Sequence, residues 1–197
     1  QLARLGVIDS LTGLYNRRGL EAELQRLLIV ARRAGAGLTA CIINCENFGG
    51  INSAYGHGAG DMVLRTVARR IEGAFRSSDT LGRIGGNEFL ALFPQTRLAQ
   101  AHVLAEQARL AVGAGPILLA PGSVEVRVLV GVASLPWDTS SLAELVARTR
   151  LALNDRRALD CPKGDDNGVS EQFRNLMLGM TSWPRMVAVT QNHYNRD

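Results

Sequence analysis

Three cysteines, few aromatic residues and no long apolar run set the first limits on this chain. Cys41, Cys45 and Cys161 are odd in number, and two of them lie in what reads as a buried strand. A disulfide framework or a cysteine-rich metal site is therefore not expected, and a reducing, cytoplasmic location is. No apolar run approaches the ~20 residues that a membrane-spanning helix needs, so no membrane segment is expected in this stretch. Charge is equally modest. Lys and Arg number 22 against 18 Asp and Glu, a net +4 spread along the chain, and aromatics make up 5%. With no basic stripe interleaved with aromatics, a nucleic-acid partner is not expected. What remains is 197 residues at 46% hydrophobic content, enough for one domain with a sizeable core and an appendage. The chain starts at Gln1 and runs straight into Leu2–Ile8, so residues 1–8 are expected to end a linker helix from an upstream domain of a longer protein.

The stretch that organises the rest is Asp79-Thr-Leu-Gly-Arg-Ile-Gly-Gly-Asn-Glu-Phe-Leu-Ala-Leu-Phe93. Two apolar, strand-like runs flank Gly85-Gly86, a pair that tolerates positive φ and marks a hairpin turn. Bare backbone at the tip lets a flat or phosphorylated ligand approach closely, with Asn87 and Glu88 beside it. The same residues also suit an ordinary tight turn.

Along the chain, Leu20, Leu24, Leu27, Leu28 and Ala31 recur at helical spacing, and Gly35 and Gly37 stop the pattern. Gly37–Cys45 reads as a strand buried on both faces, with Asn44 and Glu46 at its far end. A short helix is expected over Phe48–Tyr55 and a longer one over Ala59–Phe75, with Met62, Val63, Val67 and Ile71 inward. The hairpin occupies Thr80–Phe93. Helices over Ala99–Val112 and Leu142–Ala158 enclose a strand over Val124–Ser134. Beyond these, Glu171–Met180 reads as a last helical turn or two. The pattern predicts an α/β (α+β) fold, a partly antiparallel sheet with helices on its faces.

Several motifs, in order, resemble one family. They are Asp9-Ser-Leu-Thr-Gly-Leu-Tyr-Asn-Arg-Arg18, Phe48-Gly-Gly-Ile-Asn52, Tyr55-Gly-His57, Gly60-Asp61, Arg83-Ile-Gly-Gly-Asn-Glu-Phe89 and Val130-Gly-Val-Ala133. The family is that of GGDEF or diguanylate cyclase domains, and the resemblance covers about residues 7–168. It implies a domain over 9–168, a C-terminal extension of unknown role over 169–197, and a nucleotide-cyclase-like fold whose central, mostly antiparallel sheet has five strands. In that family two domains meet as a dimer, each holding one GTP, and condense the pair into cyclic di-GMP, so a homodimer is implied.

The resemblance also implies what is lost. Mg²⁺ is a hard cation held by carboxylates and phosphates. The family's two metal carboxylates fall on Asn44 and Asn87, both amides, and its phosphate-contacting Lys falls on Gly49. No catalytic residue is therefore expected to function, although Glu88 is retained and Glu46 stands where the family has a second Asp. No cofactor is required, with Mg²⁺ entering only alongside residual GTP binding. Guanine recognition is better kept. Asn52 and Asp61 match the family's base-contacting Asn and Asp, Gly85 and Gly86 keep the bare turn, and Arg157 falls where a phosphate-binding Lys usually stands. Upstream of it, Thr149-Arg150 and Asn154 depart from the family's pattern. The alternative for Asn52 is helix-end capping.

Arg76-Ser-Ser-Asp79 resembles the family's RxxD inhibitory site for cyclic di-GMP. Arg76 offers a planar fork to phosphate and Asp79 accepts from a guanine edge. The same four residues also suit a helix-terminal Arg and a turn-starting Asp. The family's secondary-site Arg falls on Gln107, with Arg109 nearby on another face. His57, Trp137 and Trp183 read as structural or packing residues. The resulting expectation is a catalytically inactive domain in a bacterial signalling protein, acting as a cyclic di-GMP receptor in concert with an upstream sensory or effector domain. The alternatives are a GTP-binding regulatory module without turnover, a weakly active diguanylate cyclase using Glu46 and Glu88, and a protein-interaction domain without nucleotide.

Overall fold

The structure is a computed structural model that describes residues 6–120, 122–135 and 141–160, with 135 and 155–160 as backbone only. Four antiparallel strands form its centre. The first, β1 (Leu38–Cys45), is apolar along almost its whole length and is buried on both faces, as a central strand must be. The hairpin strands β2 (Thr80–Gly85) and β3 (Glu88–Pro94) lie on one side of it, and β6 (Val128–Leu135) on the other. Strand order is β2-β3-β1-β6, with every ladder antiparallel.

Side chains alternate across these strands, and the alternation divides the core in two. Cys41, Ile43, Phe89, Ala91, Phe93, Val130 and Val132 face one cluster. It is completed by helices α3 (His57–Glu72) and α4 (Leu98–Gly113), with Ile51 from the short α2 (Phe48–Tyr55). Ala40, Ile42, Leu90 and Leu92 face the other cluster, which α1 (Arg17–Ala34) and α5 (Leu142–Asp160) cover. Helices thus lie on both faces of the sheet. Phe89 and Phe93 are fully buried, each contributing about 2–3 kcal/mol of transfer free energy.

Local chemistry sets the boundaries. Asn16 caps α1 by accepting from the Gly19 amide at 2.9 Å, and Gly35 in a left-handed conformation closes its other end. Arg70 of α3 donates to the carbonyls of Val112 at 2.5 Å and Gly115 at 2.8 Å, placing a cation at the C-terminal end of α4.

Three expectations differ from the structure. The central sheet has four strands among the described residues, where five were expected. At the β2 edge only an isolated bridge, Tyr15 to Gly82, extends it, and β4 (Ile117–Leu119) with β5 (Gly122–Val124) forms a separate two-stranded ribbon. The strand expected from Val124 therefore begins at Val128. Met62, expected inward, is 44% exposed, because α3 turns Val63, Leu64, Val67, Ala68 and Ile71 to the sheet. The elements and residues expected at 1–5, at Trp137 and beyond 160, including Trp183 and the 171–180 helix, lie outside the described residues.

Candidate functional site

The hairpin places its tip where the sequence put it, and a cation holds it there. Gly85 and Gly86 have φ of 142° and 53°, values that a side chain would strain, and the ladder shifts register between Arg83 and Gly85. Arg83 donates through Nε and Nη2 to the Gly86 carbonyl at 3.0 and 2.8 Å. Its Nη1 reaches the Asp9 carboxylate at 3.2 Å. Asp9 also accepts from the amide and hydroxyl of Thr12, at 3.0 and 2.7 Å. Burial pushes the Asp9 carboxyl up, but the Thr12 hydrogen bonds and the Arg83 guanidinium together outweigh it and hold the group below the ordinary carboxylate value. The first and fifth sequence motifs are thereby one physical unit. Reading the sequence gave neither Asp9 nor Arg83 a role; the only signal was their presence in two motifs of the same family.

At the carboxyl end of β1 the structure brings together Asn44, Asn87 and Glu88. Asn44 and Glu88 are register partners across β1 and β3. The Asn44 amide donates to Glu88 Oε1 at 3.4 Å. Asn87 Nδ2 donates to Asn44 Oδ1 at 3.4 Å and to the Cys45 carbonyl at 2.5 Å. Glu88 Oε2 is ion-paired with Arg150 of α5. Glu46 is exposed beyond the strand end. Among the described residues no three His, Cys, Asp or Glu side chains gather as a metal site would require. Two neutral amides and one carboxylate already paired with a guanidinium do not fit Mg²⁺, which demands several charged oxygen ligands in near-octahedral geometry. Arg150 was noted in the sequence only as a departure from pattern, since nothing there shows that α5 delivers it to Glu88.

Asn52 lies on α2 with its side-chain oxygen buried against Gly60 and without a hydrogen-bond partner. A Cβ at Gly60 would stand 1.9 Å from that oxygen, so the glycine makes room for it. Asp61 follows immediately and is exposed on α3. The capping alternative for Asn52 does not apply to the side chain: it is the Asn52 backbone carbonyl that accepts from Gly56, at 2.9 Å. Arg157 lies in α5, and its side chain is outside the described residues.

Arg76 to Asp79 form a closed turn away from that end of β1. The Asp79 carboxylate accepts from the Arg76 amide at 3.0 Å, and the Asp79 amide donates back to the Arg76 carbonyl at 3.0 Å. This fixes the loop while leaving the exposed Arg76 guanidinium without a hydrogen bond or ion pair among the described residues. Arg76 and Asp79 line a cleft of about 290 Å³ together with Tyr15, Glu72, Phe75 and Leu81. Gln107 and Arg109 are both exposed on α4, and Arg109 is paired with Glu106.

The fold and sequence motifs are shared with known proteins. The family described as "Diguanylate cyclase, GGDEF domain" matches residues 6–159. The response regulator PleD of Caulobacter vibrioides is 36% identical over 146 residues, which cover 73% of this chain and 32% of PleD. The diguanylate cyclase SiaD of Pseudomonas aeruginosa, solved with its activator SiaC, superposes with a TM-score of 0.75 at 33% identity, over 81% of this chain and 61% of that one. The GGDEF domain of DgcB from Caulobacter crescentus, solved in complex with c-di-GMP, gives 0.72 at 26% identity, over 78% of this chain and 88% of that one. The chain spans less than half the length of the curated relatives it matches. No described helix is long and apolar enough to cross a membrane. From the family match, these identities and the shared fold, the chain belongs to the GGDEF domain family of diguanylate cyclases.

Proposed function

We propose that this GGDEF domain no longer turns over nucleotide and serves as a cyclic di-GMP receptor through Arg76 and Asp79, within a larger bacterial signalling protein. One contrast carries the reading. At the end of β1 the amides and the lone carboxylate satisfy one another, with Arg150 as counter-charge. At the RxxD turn the opposite holds: an exposed guanidinium with no partner among the described residues stands beside a carboxylate, at a cleft of about 290 Å³. A free Arg fork is suited to a phosphodiester, and its flat face to a stacked guanine. Asp79 keeps lone pairs for a guanine N1–H and N2–H after satisfying its own turn. The output is a change in contact with an upstream sensory or effector domain.

Calorimetric titration with cyclic di-GMP, and separately with GTP plus Mg²⁺, tests the reading. Cyclic di-GMP binds wild type and binds R76A at least about tenfold more weakly, the scale of one lost charge-assisted contact. No cyclic di-GMP forms from GTP. Unchanged affinity in R76A would sink the assignment.

A second reading, a GTP-binding module without turnover, is favoured by one observation: the buried, unpartnered Asn52 oxygen against Gly60, the residue before Asp61. An unmet acceptor and a carboxylate one residue beyond its glycine neighbour suit the donors of a guanine edge. GTP binding that vanishes in D61A, with cyclic di-GMP binding absent, would establish this reading over the first.

A further inference from the structure

We infer that Arg150 is a built-in counter-cation that closes the former metal site, so that the site excludes divalent ions through charge as well as through its missing carboxylates. The inference concerns the end of β1 and is independent of ligand binding at Arg76. Three observations meet there. Glu88, the one carboxylate in the cluster, presents one oxygen to the Asn44 amide and the other to the Arg150 guanidinium. Asn87 points its amide donors at Asn44 Oδ1 and at the Cys45 carbonyl. Arg150 projects from α5, whose neighbouring Arg148 is occupied with Glu144 one turn earlier.

The physics follows from counting charge. One carboxylate and one guanidinium sum to zero, and the two amides add none. A divalent cation entering this cluster would face a fixed positive charge and would have to break the Glu88–Arg150 pair before gaining its first charged ligand. The two amides turn from mutually repelling carboxylates into a donor and acceptor for each other, so the cluster is content without an ion. Restoring carboxylates at 44 and 87 would therefore leave the guanidinium in place, bonded to the remaining acids, and a metal would still be disfavoured. Arg150 is a specificity-determining residue against cations.

Mn²⁺ binding, followed by electron paramagnetic resonance at fixed ionic strength, tests this on four proteins: wild type, R150Q, N44D/N87D and N44D/N87D/R150Q. Neither wild type nor R150Q binds Mn²⁺. The triple variant binds roughly tenfold or more tightly than the double, because removal of one adjacent like charge is worth about that factor. Equal affinity in the double and triple variants, no binding in the triple, or Mn²⁺ binding by wild type would each overturn the inference. Should the clustered acids of the multiple variants prevent folding, N87D and N87D/R150Q give the same comparison with one added charge. There too, affinity unaltered by R150Q would overturn it.

Discussion

Arg83 and Asp9 stand 74 positions apart in the chain and meet at 3.2 Å, with the same guanidinium bonded to the Gly86 carbonyl. The hairpin tip is thereby tied to the segment that precedes α1. Both side chains are largely buried, at 16% and 21% exposure, so solvent screens them less than a surface pair. R83A removes four side-chain hydrogen bonds and leaves the Asp9 carboxylate with Thr12 alone. We expect a loss of about 1–3 kcal/mol, read as a lower urea midpoint at unchanged slope. R83K recovers only part of it, since an ammonium cannot serve Gly86 and Asp9 in the fork geometry that the guanidinium provides. An unaltered midpoint in R83A would show the tie to be energetically idle.

The same pair makes stability depend on acid pH. The folded Asp9 carboxyl lies below its ordinary value of 3.8, so its contribution is present above that value and is lost as pH falls through the lowered one. Thermal melts of wild type and D9N should converge as pH falls below 3.8 and on through the lowered value, with wild type the more stable above 3.8. A constant gap across that window would mean that Asp9 does not carry the effect.

Much of this was legible because periodicity and turn chemistry are local. Leu20, Leu24, Leu27, Leu28 and Ala31 fixed α1 by spacing alone, and all are buried. The unbroken apolar run from Leu38 announced a central strand, and Gly85-Gly86 announced the tip. The ribbon of β4 and β5 was missed because three-residue strands carry too little pattern to register. Met62 misled because its neighbours Val63 and Leu64 already fill the inward face, leaving a methionine at the helix shoulder. In the candidate site the individual residues were readable and their partners were not. Glu88 was marked and Arg150 merely noted as irregular, because an ion pair spanning 62 residues is a product of tertiary packing.

Close approach of α5 to the sheet makes Gly131 irreplaceable. A Cβ there would lie 2.4 Å from the Thr149 carbonyl oxygen and 2.6 Å from the Leu153 amide nitrogen, both backbone atoms of a packed helix that cannot swing aside. G131A should cost about 1–3 kcal/mol or more, the usual range for overpacking, and should push α5 outward. Because α5 also carries Arg150, the displacement should weaken the Glu88 pair. Loss of stability with the Glu88–Arg150 coupling intact, measured by a double-mutant cycle with E88Q and R150Q in the G131A background, would separate packing from positioning.

Cys45 closes β1 one residue from Asn44, and burial pushes its thiol up to about 12 against a downward pull from Arg83. The thiolate is the reactive form, so at pH near 8 the native thiol should be inert. In a C161S background, which leaves Cys41 and Cys45, both buried, iodoacetamide should add no label to folded protein and two labels in urea. The sign of the linked stability effect is opposite to that of Asp9. A thiol whose folded value is raised contributes fully below its unfolded value of about 9 and loses that contribution as pH climbs toward 12. Prompt labelling of folded Cys45 at neutral pH would mean that the end of β1 opens to solvent. The hydrogen bond from Asn87 to the Cys45 carbonyl should then break as well, and with it the amide network at the end of β1.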